Sequence, residues 1–112
     1  MSDCVFCQIA KGTLSTNKFF ENDQIIAFES NQPVAEIHTL VIPKKHINSF
    51  SELDGETIAA MLQAAQKVIN EKNISTGYKT IFNGGKYQAI PHVHWHIIGG
   101  KLEDESDILQ NT

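Results

Sequence analysis

One stretch of the chain carries hydrophobic residues at helical spacing. From Asp54 onward, apolar side chains recur at intervals of three and four residues, at Ile58, Met61, Leu62, Ala65, Val68 and Ile69. Polar side chains occupy the positions between them, at Glu56, Gln63, Gln66, Lys67 and Asn70. This spacing gathers the apolar set on one face of an α-helix. The pattern predicts one long helix that begins after an N-cap at Ser51 or Asp54 and ends before Gly77.

Short apolar runs bounded by turn residues predict strands on both sides of this helix. They lie at residues 19–21, 25–29, 38–42, 77–82 and 92–98. Asn22-Asp23 predicts a hairpin turn between the first two, Pro43 closes the third, and Gly99-Gly100 is expected to end the last. Residues 4–10 are expected to form about two helical turns, which Gly12 stops. The pattern therefore predicts an α+β fold, with an antiparallel sheet covered by one long helix and a short N-terminal helix.

Length, composition and charge narrow the classes of function. Residues 1–112 are 41% hydrophobic and are expected to form a single domain, with its core at about 4–100 and an acidic tail at 101–112. The net charge is −4 and basic residues cluster only at Lys44-Lys45, so we expect no basic surface for nucleic acids. No apolar run reaches membrane-spanning length, and the N-terminus resembles no secretory signal. We therefore expect a cytoplasmic protein in which Cys4 and Cys7 form a C-x-x-C pair rather than a disulfide framework.

Three of the five histidines lie at alternate positions in one pentapeptide, at His92, His94 and His96. In a strand this spacing places all three imidazoles on one face and the intervening apolar side chains on the other. One interpretation is a metal site, because neutral imidazole is a common ligand. A second is nucleophilic catalysis at phosphorus, where one ring attacks while its neighbours orient it and neutralise charge on the phosphate oxygens. A third is a solvated strand face without a role.

Other candidate residues depend on their surroundings. His38 lies in a different predicted strand, so its importance depends on whether that strand neighbours the last one. The Asn83-Gly84-Gly85 turn has glycines that would let backbone N–H groups approach a phosphate, and Gln88 would add a donor. Cys4 and Cys7 are consistent with a redox pair, with zinc ligands or with two buried small hydrophobic residues. Two cysteines cannot complete a four-ligand zinc site, so histidines would have to supply the remaining ligands.

Taken together, these motifs resemble the histidine triad (HIT) family of nucleotide hydrolases and transferases, and within it the Hint-like branch. The family motif H-φ-H-φ-H-φ-φ, in which φ is apolar, is matched by HVHWHII at residues 92–98. The segment CVFCQIAKG at residues 4–12 is similar to the opening of Hint-like proteins. Ala27-Phe28 and HTLVIPKKHI at residues 38–47 are similar to their middle. The resemblance extends to about Gly100 and implies a homodimeric HIT-like fold.

The resemblance also implies an enzyme that cleaves a nucleoside 5′-phosphoramidate, or a related nucleoside monophosphate derivative, at the α-phosphate. His94 would be the nucleophile and form a nucleotidyl-histidine intermediate, His96 would contact the phosphate and assist the leaving group, and His38 would support both by hydrogen bonding. Substrate contacts are implied at Asn83, Gln88, Phe28 and Ser30, with Phe19 and Ile26 as further candidates around the base. The expected partners are a purine nucleotide-like small molecule and a second copy of the chain. The alternatives are a dinucleoside polyphosphate hydrolase of the same fold and a non-catalytic nucleotide-binding or zinc-stabilised interaction module.

The resemblance also implies a metal site, and the sequence departs from the family pattern at two positions. It implies a structural zinc ion held by Cys4, Cys7, His46 and His92, which would commit His92 to structure. Ser30 stands where the family often has an acidic residue that binds ribose hydroxyls. Ala89 stands where a serine or threonine commonly follows the glutamine. Both departures leave the phosphorus chemistry intact and bear on the choice of nucleoside.

Overall fold

A computed structural model of the chain describes residues 3–102, which form two α-helices and a five-stranded antiparallel sheet. The elements in chain order are α1 (Val5–Lys11), β1 (Lys18–Glu21), β2 (Ile25–Glu29), β3 (Ala35–Pro43), α2 (Gly55–Glu71), β4 (Tyr78–Phe82) and β5 (Trp95–Leu102). Single 3-10 turns lie at Phe50–Glu52 and Gly85–Tyr87. The strand order is β1-β2-β3-β5-β4, with every neighbouring pair antiparallel. The predicted α+β architecture is confirmed.

Helix α2 covers one face of the sheet. Its N-cap is Asp54, whose carboxylate accepts a hydrogen bond from the Thr57 N–H at 2.9 Å, whereas Ser51 lies in the preceding 3-10 turn. The apolar face of α2 packs on the central strands in a cluster of Ile25, Ala27, Val41, Met61, Ala64, Ala65, Val68, Ile74 and Ile97. Leu62, which the spacing assigned to the same apolar face, is instead 45% exposed. The helical spacing therefore predicts the helix correctly and overestimates the width of its buried face.

Helix α1 covers part of the opposite face. Cys4 caps it, because the Cys4 Sγ accepts the Cys7 N–H at 3.4 Å, and Gly12 ends it in the left-handed conformation with φ +80°. The side chains buried on this face are Phe6, Ile9, Ile26, Phe28, Leu40 and Ile42. Because α1 is only seven residues long, it leaves the rest of this face open beside it.

The predicted limits of β3 and β5 were wrong. Strand β3 begins at Ala35 rather than 38, and β5 runs from Trp95 to Leu102 rather than over 92–98. His92 and Val93 make other backbone bonds, since the His92 N–H donates to Ile90 O at 2.8 Å and the Val93 N–H to Ile47 O at 2.7 Å. These two bonds hold the start of the histidine row (His92, His94 and His96) outside the hydrogen-bonded ladder of the sheet.

The two glycines that were expected to end β5 lie inside it. Ile37 pairs with Gly99 and Ala35 with Leu102, so β5 has one extra residue in a bulge, which Gly100 accommodates with φ +74°. A Cβ on Gly99 would approach the Ile74 Cβ to 2.9 Å, so the pair of glycines serves close packing and a bulge.

The strand therefore passes the boundary predicted for the core at residue 100, and the acidic residues of the predicted tail lie outside the described residues. Within the described part of the chain, no helix combines the length and apolar character needed to cross a membrane.

Candidate functional site

An open groove of about 720 Å³ lies on the face of the sheet that α1 covers only in part. Its apolar lining comes mainly from Val5, Phe6, Ile9, Phe28 and Leu40. Neutral polar residues from two adjacent segments contribute further lining, at Ser15, Thr16, Asn17, Ser30, Asn31 and Gln32. Three histidines also line it, at His38, His94 and His96. A groove of this size and mixed lining is typical of small-molecule sites.

Sheet register brings His38 and His96 together. Strands β3 and β5 are neighbours, and His38 pairs with Ile98 while Leu40 pairs with His96. His38 and His96 therefore lie diagonally on one face, with the His38 Nε2 2.9 Å from the His96 Nδ1. This pairing answers the question that the sequence left open about His38.

His94 lies just before β5, with its ring between Phe6 and His96. Its ring centroid is 5.1 Å from that of Phe6 and 5.0 Å from that of His96. The His94 Nδ1 is 2.9 Å from the backbone carbonyl oxygen of His92. A carbonyl oxygen can only accept, so in the neutral ring Nδ1 carries the proton and Nε2 keeps the lone pair. His94 thus holds the tautomer that a nucleophile acting through Nε2 requires.

Burial favours the neutral form of the three groove histidines. Desolvation lowers the pKa of His94 and of His38 below the ordinary value, although the nearby Glu29 carboxylate acts in the opposite direction on His38. The pKa of His96 falls to about 4, chiefly through burial, with smaller effects from His94 and His38. All three rings are therefore neutral at pH 7, where a nucleophile needs its lone pair.

A second cluster lies where α1 meets the loops beside the sheet. The side chains of Cys4, Cys7, His46 and His92 each offer one ligand atom, and these atoms all lie within 4.8 Å of one another. The Cys7 Sγ is 3.1 Å from the His46 Nδ1 and 3.5 Å from the His92 Nδ1, and the Cys4 Sγ is 3.4 Å from the same His92 nitrogen. Zinc bonds of about 2.3 Å to sulfur and 2.0–2.1 Å to nitrogen place tetrahedral ligands roughly 3.3–3.8 Å apart. The donor set therefore fits a metal ion of this kind.

The outer hydrogen bonds of the two histidines support the same conclusion. The His92 Nε2 lies 2.8 Å from Pro43 O, and the His46 Nε2 lies 2.8 Å from the Asn48 Oδ1. Each acceptor draws the ring proton to Nε2 and leaves the Nδ1 lone pair directed at the cysteine sulfurs. Metal-binding histidines are usually oriented by such partners. A metal ion would replace the contacts between the sulfurs and the Nδ1 atoms and leave the two outer hydrogen bonds of the histidines in place.

The remaining predicted substrate residues occupy different surroundings. Phe28 and Ser30 line the groove, and the Asn83 Nδ2 lies 3.4 Å from the His96 Nε2. The Gln88 Nε2 donates to Asn48 O at 2.5 Å and to Ile90 O at 2.9 Å, so this amide braces the loop before the histidine row. A role for Gln88 at the phosphate stays a prediction.

Two of the residues suggested for the base lie outside the groove lining. Phe19 packs beside the cluster under α2, and Ile26 is buried in the cluster under α1. The side chains of β2 alternate between the two faces, and Phe28 is the aromatic residue of β2 whose ring reaches the groove. The structure therefore does not place Phe19 and Ile26 around a ligand in the groove.

Sequence reasoning missed Phe6, which contacts both chemical clusters. Its ring meets His92 at 5.9 Å, His94 at 5.1 Å and Phe28 at 5.6 Å between centroids. The apolar residues Val5, Phe6 and Ile9 recur at helical spacing and could have indicated a buried face of α1. What that face would contact depends on the fold, because Phe6 is far from all its partners in sequence.

Comparisons with known proteins agree on one family. A family model described as "HIT domain" matches residues 11–103. The adenosine 5′-monophosphoramidase of Candida albicans is 32% identical over 111 residues, covering 91% of this chain and 73% of that protein. The crystal structure of a HIT family hydrolase from Legionella pneumophila has 35% identity and a TM-score of 0.85, covering 88% of this chain and 94% of that one. A zinc-bound histidine triad family protein from Mycobacterium smegmatis has 28% identity and a TM-score of 0.80, covering 92% and 78%.

Proposed function

The chain belongs to the HIT family, and from this premise we propose that it hydrolyses a nucleoside 5′-phosphoramidate or a related nucleoside monophosphate derivative at the α-phosphate. The observation that carries the proposal is the state of His94 in the groove. Its Nδ1 proton is bound by the His92 carbonyl oxygen at 2.9 Å, so the Nε2 lone pair is available to attack phosphorus. The named phosphoramidase relative supports the substrate class.

In the first step of the proposed reaction, the His94 Nε2 lone pair forms a bond to the α-phosphorus. The P–N bond breaks, its electron pair stays on nitrogen, and that nitrogen takes the Nε2 proton of His96. The nucleotidylated His94 ring is then cationic, and the His96 ring 5.0 Å away is anionic, so each charge offsets the other.

Water completes the cycle in the second step. The water oxygen attacks phosphorus, the P–N bond to His94 breaks, and the lone pair returns to the His94 Nε2. His96 takes the proton of that water and becomes neutral again. The products are the amine and the nucleoside monophosphate, and both histidines end in their starting states.

The groove suggests how the nucleoside is held. Its apolar lining, with Phe28 and Phe6, suits a base, while Ser30, Asn31 and Gln32 offer neutral hydrogen-bonding groups to a sugar. Glu29 also lines the groove, but its carboxylate is engaged by Thr39 and Lys72. We infer that sugar hydroxyls meet neutral partners here, whose hydrogen bonds are weaker than those to a carboxylate.

Cys4, Cys7, His46 and His92 would hold a structural zinc ion. When bound, the ion would cross-link α1 to the loop after β3 and to the start of the histidine row. This assignment is supported by the geometry of the four ligand atoms and by the zinc-bound relative.

Turnover assays test the proposed activity. We expect the purified protein to release AMP from adenosine 5′-phosphoramidate and to cleave diadenosine tetraphosphate much more slowly, because the groove of about 720 Å³ suits one nucleotide. Faster cleavage of diadenosine tetraphosphate would favour a dinucleoside polyphosphate hydrolase. AMP binding without turnover of either compound would favour a non-catalytic binding module and contradict the proposal.

We also propose that the protein is a homodimer that pairs along β4. This strand ends the sheet, so one of its edges is open in the described chain. Tyr78 on β4 is 51% exposed and shares a surface hollow with Gln66 and Ile69 of α2, and Leu62 on the same helix is 45% exposed. An apolar surface beside an open edge suits a self-complementary contact.

Light scattering should therefore give twice the 12.5 kDa chain mass at micromolar concentration. Leu62→Asp should shift the mass toward that of one chain, because a buried unpaired carboxylate opposes association. Leu14→Asp, at an exposed leucine of the groove, serves as the matched control and should leave the dimer intact. An unmodified protein that is monomeric and active would contradict the homodimer.

A further inference from the structure

A backbone amide from the loop between β2 and β3 reaches the groove histidines. The Val34 N–H donates to the His38 Nδ1 at 3.1 Å. The Val34 side chain is 42% exposed, so its identity matters little to the core. The position of this amide is set by the fold, because the three residues between Val34 and His38 enter β3 and carry the His38 ring back toward the loop.

This one hydrogen bond determines the protonation of two rings. A backbone N–H can only donate, so the His38 Nδ1 must be the unprotonated nitrogen, and a neutral His38 then carries its proton on Nε2. That nitrogen lies 2.9 Å from the His96 Nδ1 and donates to it. The His96 Nδ1 is therefore also unprotonated, and the His96 proton resides on Nε2, the nitrogen beside Asn83.

Burial keeps this chain of hydrogen bonds in the required charge state. His38 is buried and His96 is half-buried. Desolvation lowers the pKa of both rings, that of His96 to about 4. Each neutral imidazole carries one N–H proton. The hydrogen bond at the His38 Nδ1 places the His38 proton on Nε2, and this proton in turn places the His96 proton on its Nε2.

We propose that the backbone N–H of Val34 is a positioning group that holds the proton of His96 on Nε2, where it can be donated to the leaving group. The inference rests on the proposed function, in which the nitrogen released from phosphorus takes that proton and water later returns it. Without the Val34 N–H, His38 can hold its proton on Nδ1 and accept from the His96 Nδ1. His96 then presents a lone pair instead of a proton to the departing nitrogen.

The proposal assigns an orientation to Asn83 as well. The Asn83 carboxamide lies 3.4 Å from the His96 Nε2, and two N–H donors cannot share a hydrogen bond. When the His96 Nε2 carries a proton, Asn83 turns its amide oxygen toward that nitrogen. Amide nitrogen and oxygen exchange places by a half rotation, which requires no movement of the backbone.

Nitrogen-15 NMR of the imidazoles in the metal-loaded wild-type protein tests the tautomers without any assay of turnover. We expect His38 and His96 to be protonated on Nε2 and His94 on Nδ1 at neutral pH. In Val34→Pro, which removes the N–H, the exclusive Nε2 protonation of His38 and His96 should be lost. A wild-type His96 protonated on Nδ1 would overturn the proposal, whether or not the variant folds.

A comparison of leaving groups tests the consequence for chemistry. In Val34→Pro, kcat for adenosine 5′-phosphoramidate should fall at least tenfold, because the departing nitrogen needs a proton. In serine proteases, a wrong histidine tautomer in an intact site costs about 10⁴-fold in kcat. The kcat for the 4-nitrophenyl ester of AMP should fall less than about threefold, because nitrophenolate leaves without a proton. Val34→Ala keeps the N–H and changes only a side chain at the groove, so the ratio of its two kcat values should match that of wild type.

The outcomes separate this inference from the proposed function. An equal fall in kcat with both substrates would show that Val34→Pro merely disturbs the fold, and the positioning role of the amide would be wrong. A wild-type protein that cleaves neither substrate would refute the proposed function, while the NMR result would still decide the tautomer of His96.

Discussion

His94→Ala should lower kcat for adenosine 5′-phosphoramidate by roughly 10³-fold or more, equivalent to about 4 kcal/mol in the barrier. The reason is that no other described group in the groove combines an Nε2 lone pair with an Nδ1 proton held by a backbone carbonyl. Loss of a covalent nucleophile removes a whole reaction path, whereas loss of a binding contact raises KM and costs much less. The affinity of the variant for AMP, measured by calorimetry, should stay within about threefold of wild type.

A variant of similar size separates chemistry from packing at this position. His94→Gln keeps a side chain against Phe6, whose ring centroid lies 5.1 Å from that of His94, and should lose as much turnover as His94→Ala. Wild-type reactions quenched with denaturant at alkaline pH, where the bond from phosphorus to histidine survives, should show a nucleotide attached to the peptide that contains His94, by mass spectrometry. Retention of more than a tenth of the wild-type kcat in either variant would contradict the nucleophilic role.

Removing the metal should lower the melting temperature by roughly 15 °C. A metal present at about 1,000 times its Kd stabilises the folded state by about 4 kcal/mol, and each kcal/mol corresponds to about 4 °C in a domain of this size. Cys4 caps α1 and Cys7 lies within it, and this helix is too short to be stable alone. Elemental analysis of protein purified without an affinity tag or added metal should find about one zinc per chain, and chelation should produce the loss of stability.

His46 provides the sharpest control for this prediction. Its side chain is exposed and is one of the four ligand candidates. His46→Asn should therefore lower the melting temperature of the metal-loaded protein and have little effect on the chelated protein. His38→Asn, at a buried histidine outside the cluster, should keep its zinc. A metal-free protein whose melting temperature responds to neither zinc nor chelator would show that these residues are not a metal site.

The sequence alone predicted which helices and strands form and which kinds of side chain gather at the site. Helical spacing from Ile58 to Ile69 and the strand runs reflect local periodicity, which depends on neighbours a few residues apart. The Asn22 turn is equally local, since its side chain accepts the N–H groups of Gln24 and Ile25 at 2.9 Å. The clustering of three histidines in residues 92–96 was visible for the same reason.

Local periodicity failed where a residue's role depends on distant parts of the chain. Residues 92–94 alternate as a strand would, but bonds to Ile47 and Ile90 keep the first of them out of the ladder. Gly99 and Gly100 predicted the end of a strand, because glycine usually interrupts strands. In the structure both lie within β5, where Ile74 packs too closely on Gly99 for a side chain and Gly100 accommodates the bulge. The family resemblance grouped Cys4, Cys7, His46 and His92, and their spacing alone did not.

The different roles of the five histidines depend on the folded structure. All five have the same side chain, and each acquires its protonation state from the hydrogen-bond partner that the folded chain brings to one of its ring nitrogens. The His92 carbonyl sets the tautomer of His94, Pro43 and Asn48 turn the Nδ1 atoms of His92 and His46 toward sulfur, and the Val34 N–H orders His38 and His96. A neutral imidazole has one proton for two nitrogens, so its chemistry follows from the nearest donor or acceptor, and for most of these rings that neighbour is supplied by the folded backbone.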